Sequence, residues 1–135
     1  MEEALASGRA RERCEQWAAL QGADPAWLKQ PSFPLAPVEK PLLAKRPGRL
    51  AAVDVRQLGL LLVEAGGGRT RPEDKIDFGI SLETKVRLGQ EVHKGDEIAR
   101  VYLRREDEGL VEQFAGCFSV TDEGAAPPLI STRLS

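Results

Sequence analysis

Five prolines close to one another constrain this chain more than any other feature of its sequence. They are Pro31, Pro34, Pro37, Pro41 and Pro47. Each proline lacks a backbone N–H donor and has a fixed φ, so this stretch cannot continue a helix and favours extended backbone. We therefore predict a proline-rich linker over residues 31–41, a helical arm before it at residues 1–30, and a folded domain after it at residues 42–135.

Composition excludes several classes of protein. The chain has 135 residues, enough for one ordinary domain, and its 19 basic and 21 acidic side chains give a formal charge of -2. Because the charged runs are short, we predict neither a nucleic-acid partner nor a membrane surface. The longest aliphatic run, residues 60–63, is far too short for a membrane helix, and Met1-Glu2-Glu3 lacks the basic start of a signal peptide.

The two cysteines, Cys14 and Cys117, lie far apart and have no other Cys or His beside them. This pattern fits neither a zinc site nor a disulfide framework. We expect reduced thiols in a cytoplasmic protein that carries no metal and no cofactor.

The arm has the apolar spacing of an amphipathic helix over residues 4–20. Its apolar face consists of Ala10, Cys14, Trp17 and Ala18. Gly22 is a suitable C-cap residue, and Asp24-Pro25 supplies an N-cap and a first-turn proline for a short helix through residues 27–28. The arm is therefore predicted as helix, turn and helix.

The domain is predicted to be α+β, a small mixed β-barrel or sandwich of hammerhead-like form with packed helices. Extended segments at residues 42–45 and 49–53 flank a Pro-Gly turn, and Asp54 with Gln57 resembles a capping box that opens a helix over residues 55–65. Three glycines, residues 66–68, then end that helix. The later predicted elements are a strand in which Ile76, Phe78, Ile80 and Leu82 alternate with polar residues, compact β-structure over residues 86–103, a helix at 106–114, and strands at 118–120 and 129–130.

Residues 66–80, GGGRTRPEDKIDFGI, are the most distinctive run. They resemble the signature of the C-terminal domain of pyrimidine-nucleoside phosphorylases of the thymidine-phosphorylase type, in which a Gly-rich loop precedes D-x-I-D and a V-G pair. The following G-x-x-V-x-x-G is similar to residues 89–95, and Gly8-Arg9-Ala10 and Gln21 to Pro25 are similar to segments at the end of that family's large α/β domain. The resemblance covers about residues 5–103 and, more loosely, Pro127 to Leu134.

The resemblance implies a parent enzyme, a pentosyltransferase of pyrimidine metabolism, that splits thymidine or uridine with phosphate into the base and a (deoxy)ribose 1-phosphate. The family's phosphate stretch K-H-S-T-G-G and its pyrimidine-binding Arg, Ser and Lys have no match here. We therefore expect a structural, non-catalytic portion with no catalytic, substrate-binding or metal residue of its own. The expected partner is the remainder of a homodimeric phosphorylase, including its phosphate-binding α/β domain.

Departures from the family pattern occur at Tyr102, where members often carry histidine, and at Phe78, which replaces the usual valine. The motifs are equally compatible with an engineered fragment, a truncated gene product and one half of a split enzyme, and with either nucleoside as the parent's preferred substrate.

Several other interpretations compete with this one. Lys75 in Asp74-Lys75-Ile76 resembles the modified lysine of a lipoyl or biotinyl carrier domain, which is the alternative function. Residues 66–69 could cradle a phosphate, but they follow a helix C-terminus, whose partial charge is negative. His93 could act as a general base, although the sequence offers it no partner.

Two further sets of residues have ordinary explanations. Trp17 and Trp27 could stack on a nucleobase, but Trp17 belongs to the apolar helical face and is expected to pack on protein. The mixed-charge run at residues 104–108 is expected to be a solvated strand end and helix start.

Overall fold

Five helices and two small antiparallel sheets make up the part of the chain that the computed structural model describes, residues 2–29 and 32–125. The helices are α1 (Glu2–Ala6), α2 (Arg9–Leu20), α3 (Pro25–Lys29), α4 (Val55–Leu62) and α5 (Glu108–Gly116). The strands are β1 (Val38–Leu43), β2 (Gly48–Val53), β3 (Ser81–Thr84), β4 (Glu91–Val92), β5 (Glu97–Leu103) and β6 (Phe118–Thr121). The chain divides into two compact units, Met1–Phe33 and Pro34–Ser135. The strand predicted at 129–130 and the matching tail at 127–134 lie outside the described residues.

The first unit contains α1, α2 and α3, and its helix ends follow local rules. Gly22, at φ +86°, closes α2, where the N–H of Gly22 bonds to the carbonyl of Ala19 and that of Ala23 to Ala18. Asp24 accepts a hydrogen bond of 2.8 Å from the N–H of Ala26, which confirms the predicted cap of α3.

The prediction of one continuous helix over residues 4–20 was wrong. The chain breaks between α1 and α2 at Gly8, whose φ of +79° is left-handed. Helix α2 itself is present, but it buries none of its residues, and Trp17 remains 65% exposed. The predicted packing of Trp17 on protein is therefore not seen within the described residues.

The first sheet of the second unit has the antiparallel order β1-β5-β3. Val38 of β1 pairs with Leu103 of β5, and Ser81 of β3 pairs with Tyr102. Strand β1 begins at Val38, inside the stretch predicted as linker, and it contains Pro41. A proline is tolerated here because β1 is an edge strand, where a missing N–H need not break the ladder.

The second sheet has the antiparallel order β4-β2-β6. The segment predicted at residues 49–53 is present as β2, whereas only the first two residues of the segment predicted at 42–45 belong to a strand, the end of β1, which lies in the other sheet. Within residues 34–125 the sheets do not close into a barrel. The α+β class is confirmed, while the predicted barrel or sandwich form is not.

Both helices of the second unit begin at a capping aspartate. The side chain of Asp54 accepts from the N–H of Gln57 at 2.9 Å, as predicted, and Asp107 accepts from Leu110 at 2.9 Å. Helix α4 continues into a wider π-type turn, Val63–Gly67, within which Gly66 leaves the helical conformation at φ +101°. The predicted helix ending at the glycines is confirmed.

The apolar core lies between the sheets and these two helices. Its most fully buried side chains are Phe114, Leu42, Leu50, Leu61, Ile98, Val92 and Val101. Among the described residues, no helix combines the length and the apolar character needed to cross a membrane.

The prediction of a strand starting at Ile76 was wrong for residues 76–80. Strand β3 begins only at Ser81, and residues 77–80 form a turn in which the N–H of Ile80 bonds to the carbonyl of Asp77. Ile80 is buried as expected, but Phe78, on the same predicted face, is exposed.

Candidate functional site

The segment that carries the family-like motif, residues 66–80, is called the motif loop below. It leaves the π-type turn after α4 and returns to the first sheet at β3. The glycines at its start pack closely against the chain, since a Cβ on Gly68 would lie 2.5 Å from Cγ2 of Val63. The loop start is thus filled by protein atoms, which favours the helix-ending role over a phosphate cradle.

Asp74 organises the first half of the motif loop. One of its carboxylate oxygens accepts the hydroxyl of Thr70 at 2.7 Å and the N–H groups of Thr70 at 3.0 Å and Arg71 at 2.8 Å. These hydrogen bonds, that of the Thr70 hydroxyl first, lower the pKa of Asp74. The charged carboxylate is therefore engaged in shaping the loop.

Asp77 organises the second half. Its two carboxylate oxygens bind the guanidinium of Arg104, with Nη2 at 2.8 Å from Oδ1 and Nε in contact with Oδ2. Oδ1 also accepts the N–H of Gly79 at 2.9 Å, and the backbone N–H of Asp77 bonds to the carbonyl of Gly66 at 3.0 Å. One aspartate thus links the start of the motif loop at Gly66, the end of the loop at Gly79, and Arg104 at the end of β5.

The pKa values of this pair follow from these contacts. The Arg104 hydrogen bond, and then that from Gly79, lowers the pKa of Asp77 from 3.8 to about 2. Asp77 in turn raises the pKa of Arg104. Both groups are ionised at neutral pH and neutralise each other, which is the state expected of a structural pair.

Arg104 was not recognised from the sequence. Residues 104–108 were expected to form a solvated strand end and a helix start, and Asp107 does cap the start of α5. The bidentate contact joins residues 27 positions apart, and no local pattern encodes such a pairing. A signal was nevertheless present, because Arg104 is the first charged residue after an apolar strand, and a guanidinium is a natural partner for the motif aspartate.

Lys75 lies exposed in the motif loop between the two aspartates. A lipoyl hairpin would need strands on both sides of the lysine, whereas residues 63–80 contain no strand. The carrier alternative is therefore not supported.

His93 occupies a surface turn between β4 and β5, as expected. Its side chain is 80% exposed, and Nδ1 lies 3.5 Å from Oδ2 of Asp96, which also accepts the backbone N–H of His93 at 2.8 Å. This arrangement shapes the turn. Across residues 2–29 and 32–125, no group of three or more His, Cys, Asp or Glu side chains is placed to hold a metal ion.

The two tryptophans and the two cysteines occupy different settings. Trp27 packs edge-on against Phe33, with ring centroids 5.6 Å apart, and donates Nε1–H to the carbonyl of Ser32. Its ring is thus engaged within its own unit, while Trp17 is largely exposed. Cys14 is an exposed and Cys117 a buried free thiol.

Comparison with known proteins identifies the family. Residues 49–120 match the model of the pyrimidine nucleoside phosphorylase C-terminal domain. The chain is 36% identical to a thymidine phosphorylase of Agrobacterium fabrum over 97% of its own length and 30% of the relative's. Thymidine phosphorylases of Sinorhizobium fredii and Burkholderia cenocepacia are 35% and 34% identical over 98% and 99% of this chain.

The match has a definite extent. The chain spans only about a third of each of these relatives, 30 to 32% of their length. The matched residues include the motif loop, Asp77 and Arg104. The chain therefore belongs to the pyrimidine nucleoside phosphorylase family, whose C-terminal domain its residues 49–120 form.

Proposed function

We propose that this chain is a structural, non-catalytic portion of a pyrimidine-nucleoside phosphorylase that buttresses the enzyme's phosphate-binding domain. The observation that carries the proposal is that both aspartates of the motif loop are engaged in hydrogen bonds to other groups of the chain. Asp74 is held by Thr70 and Arg71, and Asp77 by Arg104 and Gly79. Because these contacts engage both carboxylates, the two motif aspartates shape the loop, and neither serves as a general acid or base for a substrate.

The complete enzyme would cleave thymidine or uridine with phosphate to the base and a (deoxy)ribose 1-phosphate. Phosphate is the nucleophile in that reaction, so the enzyme's share is positioning and charge stabilisation. On this proposal the phosphate-binding residues lie in a separate α/β domain, in a cytoplasmic and homodimeric pentosyltransferase. This chain would hold that domain in place.

The proposed organisation has three parts. Residues 1–30 form the end of the large α/β domain, residues 31–41 connect and run from Val38 into strand β1, and residues 42–135 form the C-terminal domain. The end of α2 and the capped turn before α3 support an independent helical arm, and the core centred on β5 and α5 supports a separate domain.

The test is an assay of the purified chain with thymidine or uridine and inorganic phosphate. We expect no phosphate-dependent release of base, and the Agrobacterium fabrum thymidine phosphorylase serves as the positive control. Steady release of thymine by the chain alone would overturn the non-catalytic assignment.

A mixing experiment tests the structural role. The probe is the part of the Agrobacterium enzyme that precedes its match to this chain, co-expressed with or without the chain. We expect turnover only when both are present. Equal turnover without the chain, or none with it, would contradict the buttressing role.

A further inference from the structure

Among the described residues of the second unit, Phe78 is the most exposed large apolar side chain, with 78% of its surface accessible. Single exposed apolar residues are common and prove nothing alone. Phe78 differs because the backbone beside it is firmly held, as Gly79 and Ile80 on its C-terminal side are buried.

Hydrogen bonds fix the turn Asp77–Ile80 to three other segments. The carbonyl of Gly79 accepts the N–H of Ala36 at 2.8 Å, while Asp77 binds Gly66 through its backbone and Arg104 through its side chain. The turn also closes on itself through the Ile80 N–H.

Close packing adds to this restraint. A Cβ on Gly79 would lie 2.6 Å from the backbone oxygen of Pro34, so the chain can pass here only as glycine. Phe78 is thus presented on a preorganised turn, and an anchor held in this way loses little entropy on binding.

The surroundings of Phe78 define the chemistry of its partner. Phe78 lines an open cleft of about 360 Å³ with Pro34, Lys75 and Ile76. Lys75 also borders a neighbouring cleft of about 520 Å³ that includes Arg105. Phe78 therefore lies beside the cation Lys75, while the neighbouring cleft carries the carboxylates Glu64, Glu106 and Asp107 as well as Arg105.

Charges that are already paired do not alter this picture. Arg104 is neutralised by Asp77, and Glu106 in the neighbouring cleft pairs with Lys40 at 3.3 Å. Within residues 2–29 and 32–125, Lys75 and Arg105 form no ion pair. A surface complementary to Phe78 and Lys75 would have an apolar pocket beside a carboxylate.

We propose that the turn Asp77–Ile80 docks, with Phe78 as its anchor, on the part of the phosphorylase that the relatives possess beyond their match to this chain. This inference rests on the proposed function. The relatives carry roughly two thirds of their length outside the match, so such a surface would face this turn at high local concentration. A second copy of the chain fits less well, since a two-fold contact centred on Phe78 would bring the Lys75 ammonium groups of both copies together.

The test measures binding of the full 135-residue chain to the preceding part of the Agrobacterium fabrum enzyme by titration calorimetry. Replacing the anchor by Phe78→Ser should weaken binding by about tenfold or more. Phe78→Leu, which keeps an apolar side chain, should retain most of the affinity. The matched control is Leu43→Ser, since Leu43 is 47% exposed in the same unit and should be neutral.

Each other outcome has a definite meaning. Wild-type binding that Phe78→Ser leaves unchanged, with thermal unfolding also unchanged, overturns this inference and leaves the proposed function standing. Failure of the wild-type chain to bind and to support turnover overturns the proposed function itself. A dimer of the chain alone that Phe78→Ser dissociates in light scattering would identify a second copy as the partner and refute the inference.

Discussion

Asp77 shows how a single side chain can determine the course of a loop. Its carboxylate satisfies the Gly79 N–H and the Arg104 guanidinium together, and its own N–H bonds to Gly66. The same contacts turn residues 77–80 away from the strand that their alternating pattern predicts. Side chains of this type compete with backbone ladders by bonding nearby backbone groups.

The Asp77–Arg104 pair predicts a specific pH dependence of stability. The folded-state pKa of Asp77, about 2, lies below its ordinary value of 3.8, so folding favours the ionised form. The stabilisation is complete above the ordinary value and is lost as the pH falls from about 4 towards 2. We expect the free energy of unfolding of the wild type to fall more steeply in this window than that of Asp77→Asn, measured by urea denaturation.

Two comparisons make the pH prediction sharp. Asp77→Asn retains an oxygen that can accept the Gly79 N–H, so it removes the charge and keeps the turn. Asp122→Asn removes one charge from an exposed aspartate elsewhere and should leave the slope of the wild type largely intact. Parallel pH curves for the wild type and Asp77→Asn would refute a stabilising role of the ionised pair.

Elements with local signals could be predicted from the sequence, and those determined by distant partners could not. The starts of α3 and α4 were found because Asp24 and Asp54 cap backbone N–H groups two and three residues away. The start of β1 at Val38 was missed, since its strand character comes from pairing with β5. The Asp77–Arg104 contact was missed for the same reason, although the motif loop itself was recognised.

The cap of α4 gives a prediction at the scale of the element. Asp54→Ala removes the acceptor of the Gln57 N–H and should lower the free energy of unfolding by about 1 kcal/mol, the usual effect of losing such a cap. Asp54→Asn keeps an acceptor oxygen and should lower the free energy of unfolding by only a few tenths of a kcal/mol. Urea denaturation of the three proteins provides the measurement, and equal loss in both variants would show that charge rather than capping matters.

The distribution of buried side chains describes the molecule as a whole. Every apolar residue that is buried among residues 2–29 and 32–125 lies between Ala36 and Phe118. The first unit holds exposed apolar side chains instead, including Leu5, Trp17 and Leu20. A helix as short as α2 is only marginally stable alone in water. The hydrophobic stabilisation of folding is thus concentrated in the second unit.

Deletion of residues 1–30 tests this division directly. Because the core from Ala36 to Phe118 is untouched, we expect the midpoint of the thermal transition to shift by no more than about 2 °C, at most half of the roughly 4 to 8 °C that 1 kcal/mol produces in a domain of this size. Leu42→Ala in the full chain is the positive control, because truncating this buried side chain should cost about 2 to 5 kcal/mol. If the arm mediates self-association through its exposed apolar residues, the deletion also abolishes any dimer seen by light scattering. The thermal transitions of the three proteins are measured by calorimetry. If the deletion destabilises the remainder as strongly as Leu42→Ala does, the arm is part of one cooperative core and the proposed boundary in the proline-rich stretch is wrong.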